Sequence, residues 1–142
     1  MRRFEFLGHT ADTYIAAYGG DLSEAFENAA LALFEVMTDT EKVEPKIEEL
    51  VEVKGFDKQS LLYNWLEELI VKFETEGRLY SKFKVLSIET CEDGFRLKAR
   101  VIGEPFNPKK HPQKVGVKAV TYHMMEIEER PDGVTLKFLL DI

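Results

Sequence analysis

The hydrophobic and polar positions of the chain change period several times, and each change marks an element boundary. Phe4 and Phe6 alternate with charged neighbours, "GHTAD" interrupts, and "TYIAAYGG" reads as a second short strand that closes on a glycine turn. These two runs predict a hairpin with a polar loop. Asp21 followed by Glu24 has capping-box spacing, with Asp in the usual Ser/Thr position. Leu22, Phe26, Ala29, Ala30, Leu33 and Met37 then recur with helical period, which predicts a helix over residues 22–37. After the polar turn "TDTEKVEP", the segment "IEELVEV" is strand-like. Asp57 is placed to cap a second helix carrying Leu61, Leu62, Trp65, Leu66, Leu69, Ile70 and Phe73, and Gly77 is its natural stop.

Two further strands, "FKVLSIET" and "FRLKARVIG", flank Glu92-Asp93-Gly94, whose Asp-Gly pair is a strong hairpin signal. Phe95, Leu97, Ala99 and Val101 share one face, which leaves Arg96, Lys98 and Arg100 on a basic opposite face. "EPFNPKKHPQK" holds three prolines and is expected to be irregular. The last hairpin turns at Pro131-Asp132-Gly133, with Val134, Leu136, Phe138 and Leu140 on one face and Thr135, Lys137, Leu139 and Asp141 on the other. The class is α+β: two helices packed on mostly antiparallel sheet, in a single domain over residues 1–142.

Composition narrows the setting. The one cysteine, Cys91, rules out an internal disulfide framework and a multi-cysteine zinc site, and it points to a reducing, cytoplasmic compartment. "MRRFEF" lacks the apolar core of a signal peptide, and no stretch approaches a membrane span. Asn occurs only at 28, 64 and 107 and Gln only at 59 and 113, while 32% of residues are charged, a bias associated with thermophiles. The formal charge of −7 is unevenly spread. Residues 96–118 hold seven Lys/Arg against the single acid Glu104, whereas residues 21–57 hold eleven acids against three lysines. Two faces of opposite sign are therefore expected.

Nucleotide and zinc motifs are absent: no GxGxxG, GxxxxGK[ST] or HExxH occurs. Cys91 lies at a hairpin edge with no histidine near it in sequence, so it reads as an inert half-buried thiol. Trp65, at helical spacing, reads as core. A lone histidine among apolar residues is ordinarily a hydrogen-bonded structural residue, the reading taken for His9 and His123, whereas His111 in the basic loop is expected in solvent.

What remains is "HTAD" and the terminal "DI". An Asp in a hairpin loop is ordinarily a turn residue bonded to backbone amides, and both Asp12 and Asp39 have that plain reading. The terminus changes the weighing. Its strand pattern runs to the last residue, so Asp141 and the α-carboxylate of Ile142 lie side by side. If Asp12 converges on them, their mutual repulsion calls for compensation, and a hard cation with oxygen ligands is the simplest form of it. The basic stretch, read plainly, is a solvated strand face. Its concentration also suits an acidic partner, a nucleotide or RNA.

"HTAD" after the first strand, the helix "LLYNWLEEL", "GE" followed by the histidine loop, "VKAVTYH" and the terminal "DI" together resemble the archease family over essentially the whole chain. The resemblance implies an SHS2-like α+β module with an inserted segment. It also implies a partner, an RtcB-type RNA ligase that joins tRNA halves, whose guanylylation and turnover the archease promotes and whose nucleotide use it broadens. Indirect contact with tRNA or GTP is compatible with that role. By the same resemblance the metal positions fall on Asp12, Asp141 and Ile142, with Asp39 as a neighbour. The implied metal is calcium, and the ligand types also suit magnesium or manganese. Lys98, Arg100, Lys109, Lys110, Lys114 and Lys118 are the residues expected to dock the ligase or its nucleotide. The chain itself is then no enzyme. Two other classes stand beside this reading: a chaperone-like module that stabilises RNA-modifying enzymes without a metal, and a metal-dependent hydrolase using His9 as base.

Overall fold

The computed structural model describes residues 2–8 and 12–142. Its elements follow one another as β1 (Phe4–Phe6), β2 (Thr13–Gly19), α1 (Leu22–Met37), a 3-10 turn (Thr40–Lys42), β3 (Ile47–Gly55), α2 (Lys58–Glu76), β4 (Arg78–Cys91), β5 (Gly94–Pro105), β6 (Ala119–Arg130) and β7 (Gly133–Asp141). The strands form two sheets, ordered β1-β2-β7-β6 and β3-β5-β4, and every neighbouring pair is antiparallel. The α+β class holds, and the antiparallel strands divide into two sheets.

The two helices join the sheets: α1 packs on β2 and β4, and α2 on β3 and β6. Each starts at an aspartate. The Asp21 carboxylate accepts the Glu24 amide at 2.8 Å, while Glu24 Oε1 accepts the amide of Gly20 at 2.7 Å, one residue earlier than in a regular capping box. Asp57 and Ser60 complete the reciprocal box at the start of α2. Gly77 ends α2 in the left-handed conformation, φ 65°, which a residue without Cβ adopts at little cost.

Between the sheets lie Ile15, Phe26, Leu33, Phe34, Leu61, Leu66, Leu69, Leu136 and Phe138, all fully buried, each worth roughly 1.5–3 kcal/mol of transfer free energy. Trp65 is buried at the helix contact, where its indole N–H donates to the Phe26 carbonyl at 3.0 Å, confirming it as core. In β7 the expected alternation is present: Val134, Leu136, Phe138 and Leu140 are buried. Leu139, on the other face, is buried as well.

Several local expectations change. Cys91 pairs with Gly94 and Arg130 with Gly133, so the two-residue loops are Glu92-Asp93 and Pro131-Asp132, and each glycine opens a strand. Gly94, at φ 141°, sits where a Cβ would come 2.2 Å from the Gly55 carbonyl oxygen, so close backbone approach is what its place requires. Glu104 and Pro105 belong to β5, and irregular chain begins at Phe106. The outward face of β5 is also not uniformly basic, because β3 lines up beside it and brings Glu52 to Arg96 (3.6 Å) and Glu48 to Arg100 (3.7 Å). Among the described residues no helix is long and apolar enough to cross a membrane.

Candidate functional site

Both predicted aspartates lie next to the end of the β2–β7 ladder. The last registered pair of the β2–β7 ladder is Thr13 with Leu140, on the core-facing side with Ile15 and Phe138. One residue beyond come Asp12, in the bend before β2, and Asp141, the last residue of β7. Asp141 is held from its other side by β6, pairing with Ala119 and accepting the Lys118 amide at 2.8 Å through its carbonyl. Ile142 packs its side chain on the core, which anchors the terminal residue beside this pair. Like charges across a ladder end disfavour each other. Among the described residues neither aspartate has a Lys, Arg or His nitrogen within 4 Å. His9, Thr10 and Ala11 lie outside the described residues.

Asp39 is placed differently. It caps the 3-10 turn, its carboxylate accepting the Glu41 amide at 3.1 Å, which is its plain turn role. It lines a cavity of about 760 Å³ together with Glu35 and Lys114, while Asp12 lines another of about 370 Å³ with the same two residues. Glu35 therefore stands between the two aspartates. Its carboxylate accepts the Thr40 hydroxyl at 2.6 Å and the Lys114 ammonium at 2.8 Å. Sequence reasoning missed Glu35. The available signal was a charged residue interrupting the buried run Phe34, Val36, Met37 at the end of α1. Among the described residues no group of three or more His, Cys, Asp or Glu side chains is close enough to hold a metal ion. The side chains of Asp12 and Asp141 offer only oxygen donors, which is the chemistry a hard cation accepts.

The six basic residues do not form one patch. Lys98 and Arg100 point outward from β5, with Arg100 paired to Glu48. Lys109 and Lys118 are exposed and form no ion pair among the described residues. Lys110 is bound to Glu104 and to Glu44, both at 2.8 Å, and Lys114 to Glu35.

The histidines exchange the places expected of them. His111 is buried: its Nδ1 accepts the Asn107 amide at 2.9 Å, which leaves Nε2–H to donate to Glu104 at 2.9 Å. His123 is exposed, and its bond to Thr121 Oγ1 is made by the backbone amide. Burial works to raise the Glu104 pKa, but hydrogen bonds from Lys110, the Glu44 amide and His111 outweigh it and hold the carboxyl at about 2. This network staples the proline-rich loop to the end of β5. At Glu49, burial pulls upward in the same way, and bonds from Tyr80 and Lys72 bring the net shift down. Cys91 is half-buried, its thiol 3.8 Å from Asp93 Oδ1.

Comparison with known proteins covers nearly the whole chain. Residues 4–142 match the model of the Archease protein family (MTH1598/TM1083). The chain is similar to Protein archease of Sulfurisphaera tokodaii, at 50% identity over 142 residues and the full length of both. It is similar also to Protein archease of Pyrococcus abyssi, at 51% over 133 residues, 94% of this chain and 93% of that one. The solution structure of Methanobacterium thermoautotrophicum protein 1598 superposes with a TM-score of 0.87 at 48% identity, covering all of both chains.

Proposed function

This chain belongs to the archease family, and on that premise we propose that it is a non-catalytic, cytoplasmic accessory protein of an RtcB-type tRNA-splicing RNA ligase. It promotes guanylylation and turnover of the ligase and broadens its nucleotide use. Membership over the full length supports the assignment, and the observation that supports a metal role is that Asp12 and Asp141 each lie one residue past the Thr13–Leu140 pair that ends the β2–β7 ladder. Asp12, Asp141 and the Ile142 carboxylate would hold a divalent cation, calcium first, with magnesium or manganese compatible with the same oxygen donors. Asp39 lies in the adjoining cavity as an outer neighbour, with Glu35 between.

When bound, the cation supplies positive charge to a surface that otherwise presents two unneutralised carboxylates. The protein's own part is to hold those oxygens on paired backbone. Phe6 and Val115, both partly exposed, border the Asp12 cavity and give a partner apolar purchase beside it. Lys98 and Lys109, exposed and without ion pairs, are the residues of the expected docking set best able to meet a distant acidic surface or nucleotide.

The test is ligase guanylylation and multiple-turnover RNA joining, with and without this protein, at limiting divalent metal. Stimulation that depends on metal and on Asp12 supports the proposal. GTP hydrolysis by the repurified protein alone would sink it, and metal-independent protection of the ligase against inactivation, without faster guanylylation, would favour a chaperone-like module.

A further inference from the structure

β6 leaves its ladder with β7 for a stretch. Thr121 pairs with Leu139 and Glu126 with Lys137, so five steps on β6 answer two on β7. The surplus, Tyr122 to Met125, bulges from the outer strand of its sheet. At its centre Met124 has φ 60°, a left-handed conformation uncommon for a residue with a side chain. The bulge is tied in place: the Tyr14 hydroxyl donates to the Met124 carbonyl at 2.8 Å, and the His123 amide to Thr121 Oγ1 at 3.1 Å. Held this way, the Tyr122 ring stacks on Tyr63 of α2, centroids 4.4 Å apart and planes within 10°.

The outcome is unusual for an edge strand, which ordinarily blunts its exposed side with charge. Tyr122 is 52% and Met124 43% exposed, with His123 between them also in solvent. The electrostatic setting is acidic. Glu67, one helical turn beyond Tyr63, is exposed and has no Lys, Arg or His nitrogen within 4 Å among the described residues. Burial first, and then the charge of Asp57, the stacked Tyr63 and Glu67, raise the Tyr122 hydroxyl pKa. The nearby cation, Lys58, is already engaged by Glu129. Aromatic faces and an unpaired carboxylate attract a cation and repel phosphate.

We propose that the β6 bulge is a docking platform for a basic segment of a partner protein, whose arginine or lysine stacks on Tyr122 within reach of Glu67 while an apolar neighbour covers Met124. The charge of the platform selects this occupant over RNA.

The test uses the full chain in chelator, free of metal, so that it stands apart from the carboxylate site. The probes are acetyl-Leu-Arg-Leu-amide, its glutamate counterpart and a short oligouridylate, read by the aromatic resonances of Tyr63 and Tyr122 and the Met124 methyl. Saturable shifts at these three residues with the arginine peptide alone are expected. Glu67→Lys and Tyr122→Leu should each weaken binding by about tenfold or more, as loss of a hot-spot contact does, while Tyr122→Phe retains it. Equal shifts with the glutamate peptide, tighter binding of the oligouridylate, or unchanged affinity in Tyr122→Leu with the rest of the spectrum intact would each overturn the proposal.

Discussion

Asp12 and Asp141 each lie one residue past the Thr13–Leu140 pair, so two acidic residues flank the point where the β2–β7 ladder ends. Neither is there by loop wandering. Asp141 is paired with Ala119 of β6, and Asp12 directly precedes β2. An arrangement that sets like charges against each other on rigid backbone is costly unless something positive joins it.

Adding one glycine after Ile142 turns its carboxylate into a neutral amide and moves the negative charge outward. Calcium affinity, followed by calorimetry, should fall by an order of magnitude or more, as expected where charge count tunes affinity. A one-residue extension at the other end is the control. Equal titration curves for the two forms would leave the terminus as an ordered strand end.

Asp12→Asn removes one of the opposed charges while keeping its shape. Ligase stimulation should be lost. The metal-free protein should gain about 0.2–1 kcal/mol, seen as a rise of roughly 1–3 °C in melting temperature. A variant that stimulates as well as the parent does would remove the metal from the mechanism.

Lys98→Glu combined with Lys109→Glu reverses two exposed, unpaired charges. Association with the ligase should weaken several-fold at low ionic strength and little at high, since exposed charges are screened over about 8–10 Å at physiological salt. Binding that ignores salt in both forms would assign these lysines to solubility alone.

Glu104→Gln tests the buried staple of the proline-rich loop. The folded carboxyl titrates near 2, below its ordinary range in the unfolded chain. The stability it contributes is therefore fully present above that ordinary range and is lost as pH falls toward 2. At neutral pH the substitution should cost about 1–3 kcal/mol. The difference from the parent in denaturant unfolding should shrink from about pH 5 downward. A constant difference over that range would mean that the charge is not what matters.

Local chemistry explains which parts of this molecule could be read from its sequence. Asp21, Asp57 and Gly77 bound the helices because capping acts over three or four residues. The alternation of Val134, Leu136, Phe138 and Leu140 survives because one face of β7 is wholly buried. The hairpin turns shifted by a residue because Gly94 and Gly133 serve the strands' close approach and not the turns themselves. Long-range partners were out of reach. Nothing near His111 in sequence announces that Glu104 and the Asn107 amide enclose it, and nothing near Glu35 reveals Lys114. The division into two sheets depends on β7 choosing β2 and β6, a choice made at long sequence separation. Asp12 and Asp141 were paired on chemical grounds and family pattern, and the register puts the ladder end next to each of them.

That same placement of β7 sets the order in which the molecule can assemble. The last strand in sequence lies inside its sheet, between β2 and β6, while β3, β4 and β5 form a sheet from neighbouring segments. During synthesis the β3-β5-β4 sheet and both helices can gather early, but β2 waits with an unpaired edge until β7 leaves the ribosome. Closure of the first sheet is thus the slow, long-loop step, and a nascent chain stalled before residue 133 presents an open strand edge to its surroundings.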